Sequence, residues 1–125
     1  MVNLILVATG GAVGAVLRYL LTIISKNLFV SSIYGTISVN IIGSFLIGYF
    51  ITSNFGNNLS ENFIKFFLII GLLGSFTTFS AFSYEVLDLI NSKKYISSFT
   101  YIFISILICI ISAYLGALLS RLWFD

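Results

Sequence analysis

Apolar residues run along this chain in four long blocks separated by three short polar stretches. The blocks cover residues 3–24, 32–53, 63–90 and 97–120, and the polar stretches are 25–31, 54–62 and 91–96. A helix needs roughly 20 mostly apolar residues to cross a bilayer, so each block is long enough to be a span. Arg18 is the one charge in the first block, and the second and fourth carry none. Lipid offers no partners to an open strand edge, which leaves helices as the way to cross. The pattern predicts an all-α membrane protein of one domain, residues 1–125, with four transmembrane helices. No basic segment precedes the first block, and that block is longer than the apolar core of a signal peptide. It is expected to stay as the first span.

The third block contains a defect at Gly74-Ser75-Phe76-Thr77-Thr78. Glycine weakens a helix, and serine and threonine offer its backbone competing hydrogen bonds. The chain has no proline, so a break at 74–78 has to come from this cluster. A continuous helix with back-bonded threonines fits the same letters. Irregular backbone at membrane depth is tolerated only when buried in protein or lining a cavity, so a break would mark a functional place. Helix contacts are legible too. Gly10 and Gly14 form a GxxxG, and Ser105, Cys109, Ser112, Gly116 and Ser120 put small residues on one face of the fourth span.

Composition agrees with a bilayer as solvent. Hydrophobic residues make up 59% of the chain and charged residues 8%, with a mean hydropathy of +1.13. A soluble domain carries about a quarter charged residues. The net charge of +2 is too small to argue for nucleic acid. One cysteine and no histidine exclude a disulfide framework and a Cys/His zinc site, and Cys109 reads as a small buried apolar residue. No Gly-rich loop with Lys and Ser/Thr is present to cradle a nucleotide, and nothing suggests an enzyme.

Charge also bears on topology. Four spans put Lys26, Lys93 and Lys94 on one side, and Lys65 and Arg121 on the other with both termini. The tally is four against two with Arg18, or three against two if Arg18 is buried. So small a bias permits insertion in both orientations, and one poorly resolved orientation equally. Four helices with an apolar interior pack shut, so unspent polar groups argue for a partner.

Two polar features stand out. Thr36, Asn40 and Ser44 form a line on the second span at i, i+4 and i+8, with Asn40 near its middle. The amide of Asn40 has two donors, for a helix–helix hydrogen bond or for a ligand. On the third span Phe76, Phe79 and Phe82 repeat every three residues, and Thr77, Ser80 and Ser83 do the same one position on. Phenyl edges are electropositive and hydroxyls donate hydrogen bonds, so the two lines together suit a small hydrated anion. Plain packing or lipid contact accounts for the same spacing. Arg18 suits a structural or vestibule role, bonded to the loop before the second span or reaching for headgroups. Glu85 and Asp88, unfavourable in sign for an anion, are expected at the water boundary, with Glu85 at a pore mouth or solvated.

Three blocks now carry a resemblance. They are Gly10-Gly11-Ala12-Val13-Gly14-Ala15-Val16-Leu17-Arg18-Tyr19, Gly35-Thr36-Ile37-Ser38-Val39-Asn40-Ile41-Ile42-Gly43-Ser44-Phe45, and Gly71-Leu72-Leu73-Gly74-Ser75-Phe76-Thr77-Thr78-Phe79-Ser80-Ala81-Phe82-Ser83. In this order, on four spans, the chain resembles the bacterial fluoride channels of the Fluc/CrcB family over nearly its whole length. The resemblance implies an antiparallel dual-topology dimer in the bacterial plasma membrane, with two fluoride pores and membrane lipid around it. It implies pore roles for Asn40, Phe79 and Phe82, and a hydroxyl track of Ser80, Ser83, Tyr101, Ser105 and Ser112. It implies a structural or vestibule role for Arg18, and a structural sodium ion (Na+) at the dimer centre, held by the main-chain carbonyls of Gly74 and Thr77. Ala81 departs from the family, where threonine is common. The implied activity is passive export of cytoplasmic fluoride. A homodimer and a heterodimer with a related subunit both fit the sequence.

Two rival readings remain. A small dual-topology multidrug exporter needs a carboxylate deep in the first span, where this chain has only Arg18. A non-transporting membrane subunit explains the hydrophobicity and the GxxxG, but has no use for Asn40 or the paired phenyl and hydroxyl lines.

Overall fold

The computed structural model describes residues 1–29, 31–53 and 59–124. Helix α1 runs Val2–Phe29 and α2 runs Ile33–Thr52. A turn at Leu59–Asn62, a π-helical stretch at Phe63–Leu73 and a closing turn at Gly74–Phe76 run on as one helix, α3. After a break come α4 (Phe79–Asn91) and α5 (Tyr95–Phe124). Among the described residues, four helical stretches are long and apolar enough to cross a membrane: Val2–Phe29, Ile33–Thr52, Phe63–Asn91 and Tyr95–Trp123. The four expected spans are therefore present. Residues 54–58 of the expected second connection lie outside the described residues, and 59–62 are helical.

Three further boundaries differ from expectation by several residues, one being the end of α5, which runs on to Phe124 instead of stopping at 120. Helix α1 continues to Phe29 instead of stopping at 24, since Ser25 is buried and its hydroxyl donates to the Ser31 carbonyl at 3.0 Å. That bond ties the last turn of α1 to the chain entering α2. The third connection shrinks to a tight turn after Asn91, with Lys93 at φ 58°. There the Lys93 and Lys94 N–H groups donate back to Ile90 and Leu89, a left-handed helix cap on a non-glycine residue.

Helix α1 packs along α3, and α2 along α5. Small residues set both contacts. A Cβ on Gly10 would collide with the Phe67 carbonyl, and one on Gly14 with the Leu72 carbonyl. The GxxxG thus lays α1 directly on the backbone of α3. The small face of α5 does the same against α2: Gly116 abuts the Phe45 carbonyl, Ser112 donates to the Ile41 carbonyl at 2.9 Å, and Ser120 pairs with Ser53 at 2.9 Å.

The break falls at Thr77 and Thr78, inside the expected segment. Thr77 has ψ 154°, and Thr78 has φ −150° and ψ 119°, both extended. The Thr77 backbone N–H and hydroxyl both donate to the Leu73 carbonyl, at 3.1 and 2.9 Å, and finish the incoming helix. Thr78 starts the next one, its hydroxyl accepting from the Ala81 N–H at 3.1 Å.

Candidate functional site

A cavity of about 270 Å³ opens where α2, the break, α4 and α5 meet. Its wall includes Asn40, Thr78, Phe79, Phe82, Ser105 and Cys109. None of these carries a charge.

Each wall residue is placed by a local reason. Asn40 points its amide at the break. Its Nδ2 donates to the Thr78 carbonyl at 3.1 Å, and its Oδ1 accepts from the Thr78 N–H at 2.8 Å. One side chain thus satisfies both backbone groups of an extended residue at membrane depth, which lipid cannot do. The cap at Thr78 begins α4 so that Phe79 and Phe82 share a face one turn apart. Their ring centroids lie 5.4 Å apart at 42°. Phe79 is 76% exposed in the single chain, whereas Phe82 is buried.

The lines expected from spacing separate here. Phe76 lies before the break and is core, because two extended residues reset the helical register between it and Phe79. The hydroxyls are largely engaged close to home. Thr77 bonds Leu73, Ser80 pairs with Thr78 at 3.1 Å, and Ser83 donates to the Phe79 carbonyl at 2.9 Å. On α5, Ser105 lines the cavity while Ser112 is spent on Ile41. Cys109, expected to be plain packing, is instead cavity wall beside Ser44. The signal was present in the i+4 run Tyr101–Ser105–Cys109. Ser105 Oγ is buried and without a hydrogen-bond partner among the described residues. An unmet buried hydroxyl costs about 1–3 kcal/mol, so it is a donor waiting for an acceptor.

Glu85 is not solvated. It is 5% exposed, and three hydroxyls converge on it. Ser32 and Thr36 donate to its Oε1 at 2.6 and 2.9 Å, and Tyr101 donates to Oε2 at 2.6 Å. Sequence spacing missed this because the donors come from the α2 entrance, α2 and α5. Glu85 does line a second cavity, of about 490 Å³, with Lys26, Ser32, Tyr84 and Asp88. Tyr101 links the two cavities: its ring packs on Phe82 at 5.1 Å while its hydroxyl holds Glu85.

Among the described residues of the loop before α2, none is bonded to Arg18. Its Nε donates to the Ser75 carbonyl at 3.1 Å, just ahead of the break. Two other carbonyls are released there. The Thr78 N–H, which a continuous helix would give to Gly74, goes to Asn40, and the Ala81 N–H, which would go to Thr77, goes to Thr78 Oγ1. Gly74 is also exposed on the single chain.

Four apolar spans, a clamped interruption in the third and an uncharged cleft of rings, amide and hydroxyls define a polytopic membrane protein with a small cleft beside the break. The chain belongs to the CrcB-like protein family, Camphor Resistance (CrcB), whose profile matches residues 5–117. Among its relatives, the fluoride-specific ion channel FluC of Shewanella loihica is 44% identical over 115 residues, covering 91% of this chain and 92% of that one. The protein of the same name from Phocaeicola vulgatus is 46% identical over 122 residues, covering 97% and 100%. A third, from Dehalococcoides mccartyi, is 38% identical over 121 residues, covering 96% and 93%.

Proposed function

We propose that this protein is a fluoride-selective passive channel that lets fluoride leave the cytoplasm, and not an enzyme. The observation that carries the reading is the cavity in which Phe79, Phe82, Asn40 and the unmet Ser105 hydroxyl meet beside the break. The names of the relatives supply the ion. Ring edges and hydroxyls attract an anion without fixing it, and conduction needs that balance. HF crosses lipid and dissociates in the more alkaline cytoplasm. An inside-negative potential then drives the anion out with about 2.3 kcal/mol per charge per 100 mV.

The working unit is an antiparallel dual-topology dimer in a bacterial plasma membrane, with lipid around it and two pores. A homodimer is the simplest form, and a heterodimer with a related subunit serves as well. Three features support it. Arg18 is half-buried and bonded to Ser75, so the cation tally lies between four against two and three against two, a small bias for fixing one orientation. Phe79 is mostly exposed in the single chain, where a partner would cover it. Gly74 and Thr77 also present carbonyls freed from helical bonding, and a two-fold axis would double them. Carbonyl oxygens are ligands for a hard cation, so these four fit a structural Na+ that would join the halves. The hydroxyl track would draw on Ser80, Ser83, Tyr101 and Ser105, of which Ser105 has its hydroxyl unmet while Ser83 and Tyr101 already donate to Phe79 and Glu85. Ser112 is the weakest member, since its hydroxyl already holds Ile41.

Fluoride efflux from liposomes holding the purified chain tests the reading, read with a fluoride electrode after adding a potassium ionophore. Fast fluoride release without chloride release is expected. No release from folded dimeric protein sinks the homodimeric channel.

A further inference from the structure

We propose that Cys109 is a thiol-modification site on the wall of the ion pathway, where one small thiol-directed electrophile closes the channel. Closure rests on the fluoride-channel reading above. The site rests on the structure. Cys109 lines the same cavity as Ser44 and Phe82, and it is half-buried. One turn earlier on α5, Ser105 lines the same cavity with a buried hydroxyl that no described residue engages. Buried polar groups take partners, so what occupies the space beside this thiol is a hydrogen-bonding species and not hydrocarbon. A thiol there is reached from water, unlike one sealed in core or lipid.

The reagent is itself the oxidant, so no other is needed. The Cys109 sulfur attacks the sulfenyl sulfur of methyl methanethiosulfonate, a neutral reagent small enough for the cavity. A sulfur–sulfur bond forms, methanesulfinate leaves with the electron pair, and the thiol proton passes to water. The product carries an apolar methylthio group among the Asn40, Ser44 and Ser105 groups that would receive a dehydrating anion.

Because the chain has one cysteine, the adduct is unambiguous. Proteoliposomes holding the full chain are treated with the reagent, then read for intact mass and for fluoride efflux, beside a Cys109→Ser variant compared with its own untreated flux. The expected result is one adduct on the native chain and roughly a tenfold loss of efflux, reversed by a thiol reductant and absent in the variant. No adduct, under conditions where detergent-unfolded chain reacts fully, overturns the proposal. So does an adduct with unchanged flux, which puts the thiol against lipid. If untreated protein passes no fluoride, the channel reading fails and closure with it, while the mass still decides whether Cys109 is reachable.

Discussion

Asn40 and Thr78 exchange two hydrogen bonds, so a side chain of α2 stands in for the helical partners that the third span gives up at its break. The amide acts first as a clamp on backbone, and only its remaining donor is left for a ligand. Replacing Asn40 with alanine strands a backbone donor and acceptor at membrane depth. With interhelical bonds worth about 0.6–1.7 kcal/mol each in membranes, a loss of roughly 1–3 kcal/mol is expected. Thermal unfolding in detergent measures it, and flux should fall as well. A variant of native stability would show that the clamp is dispensable.

Phe79 and Phe82 should separate in their effects. Both line the cavity, but Phe79 is exposed in the single chain and Phe82 is packed on Tyr101. Phe79→Ile is expected to abolish fluoride flux with little change in monomer stability. Phe82→Ile is expected to abolish flux and cost about 1–2 kcal/mol through lost packing. Efflux and unfolding measured on the same preparations separate the two.

Glu85 and Tyr101 should be strongly coupled. A hydrogen bond contributes about 0.5–1.5 kcal/mol net and more is lost when a buried partner is stranded, and the Tyr101 hydroxyl lies 2.6 Å from Oε2. Tyr101→Phe, Glu85→Gln and the double variant form a cycle. The double variant should lose clearly less than the sum of the singles. Simple additivity would mean that the bond contributes nothing.

The close approach of α1 to α3 predicts a sharp contrast between neighbouring glycines. Gly14→Ala puts a methyl into the Leu72 carbonyl, which backbone cannot yield, and should cost about 3 kcal/mol or prevent folding. Gly11→Ala meets the Ser75 hydroxyl at 3.2 Å, which can rotate away, and the Gly71 carbonyl at 4.0 Å, an ordinary contact. Gel filtration should show a single peak for Gly11→Ala and aggregate for Gly14→Ala.

Much of this architecture was legible in the letters. Hydropathy and span length place the four crossings, since lipid enforces both. The GxxxG and the small face of α5 identify their own contacts because close approach excludes larger side chains. The Thr77-Thr78 break was readable from competing hydroxyls. Other features were not. The π-helical stretch at Phe63–Leu73 leaves no trace, because a run apolar almost all round shows no phase by which to tell one pitch from another. Glu85 reads as an acid at the water boundary, solvated or at a pore mouth, and its burial is hidden because the hydroxyls that hold it come from distant parts of the chain. Arg18 reads as a structural or vestibule cation, but its partner is hidden, because the Ser75 carbonyl is free only where the helix is interrupted. In each case the missing information is which partner tertiary packing supplies.

The break is held by groups that all belong to one chain: Asn40, Arg18, and the threonines on either side of the kink. A single chain therefore carries everything that sets its own bend. In the dimer proposed above, two halves already shaped would meet, and no unfolded segment would have to wait for a partner to acquire its contour.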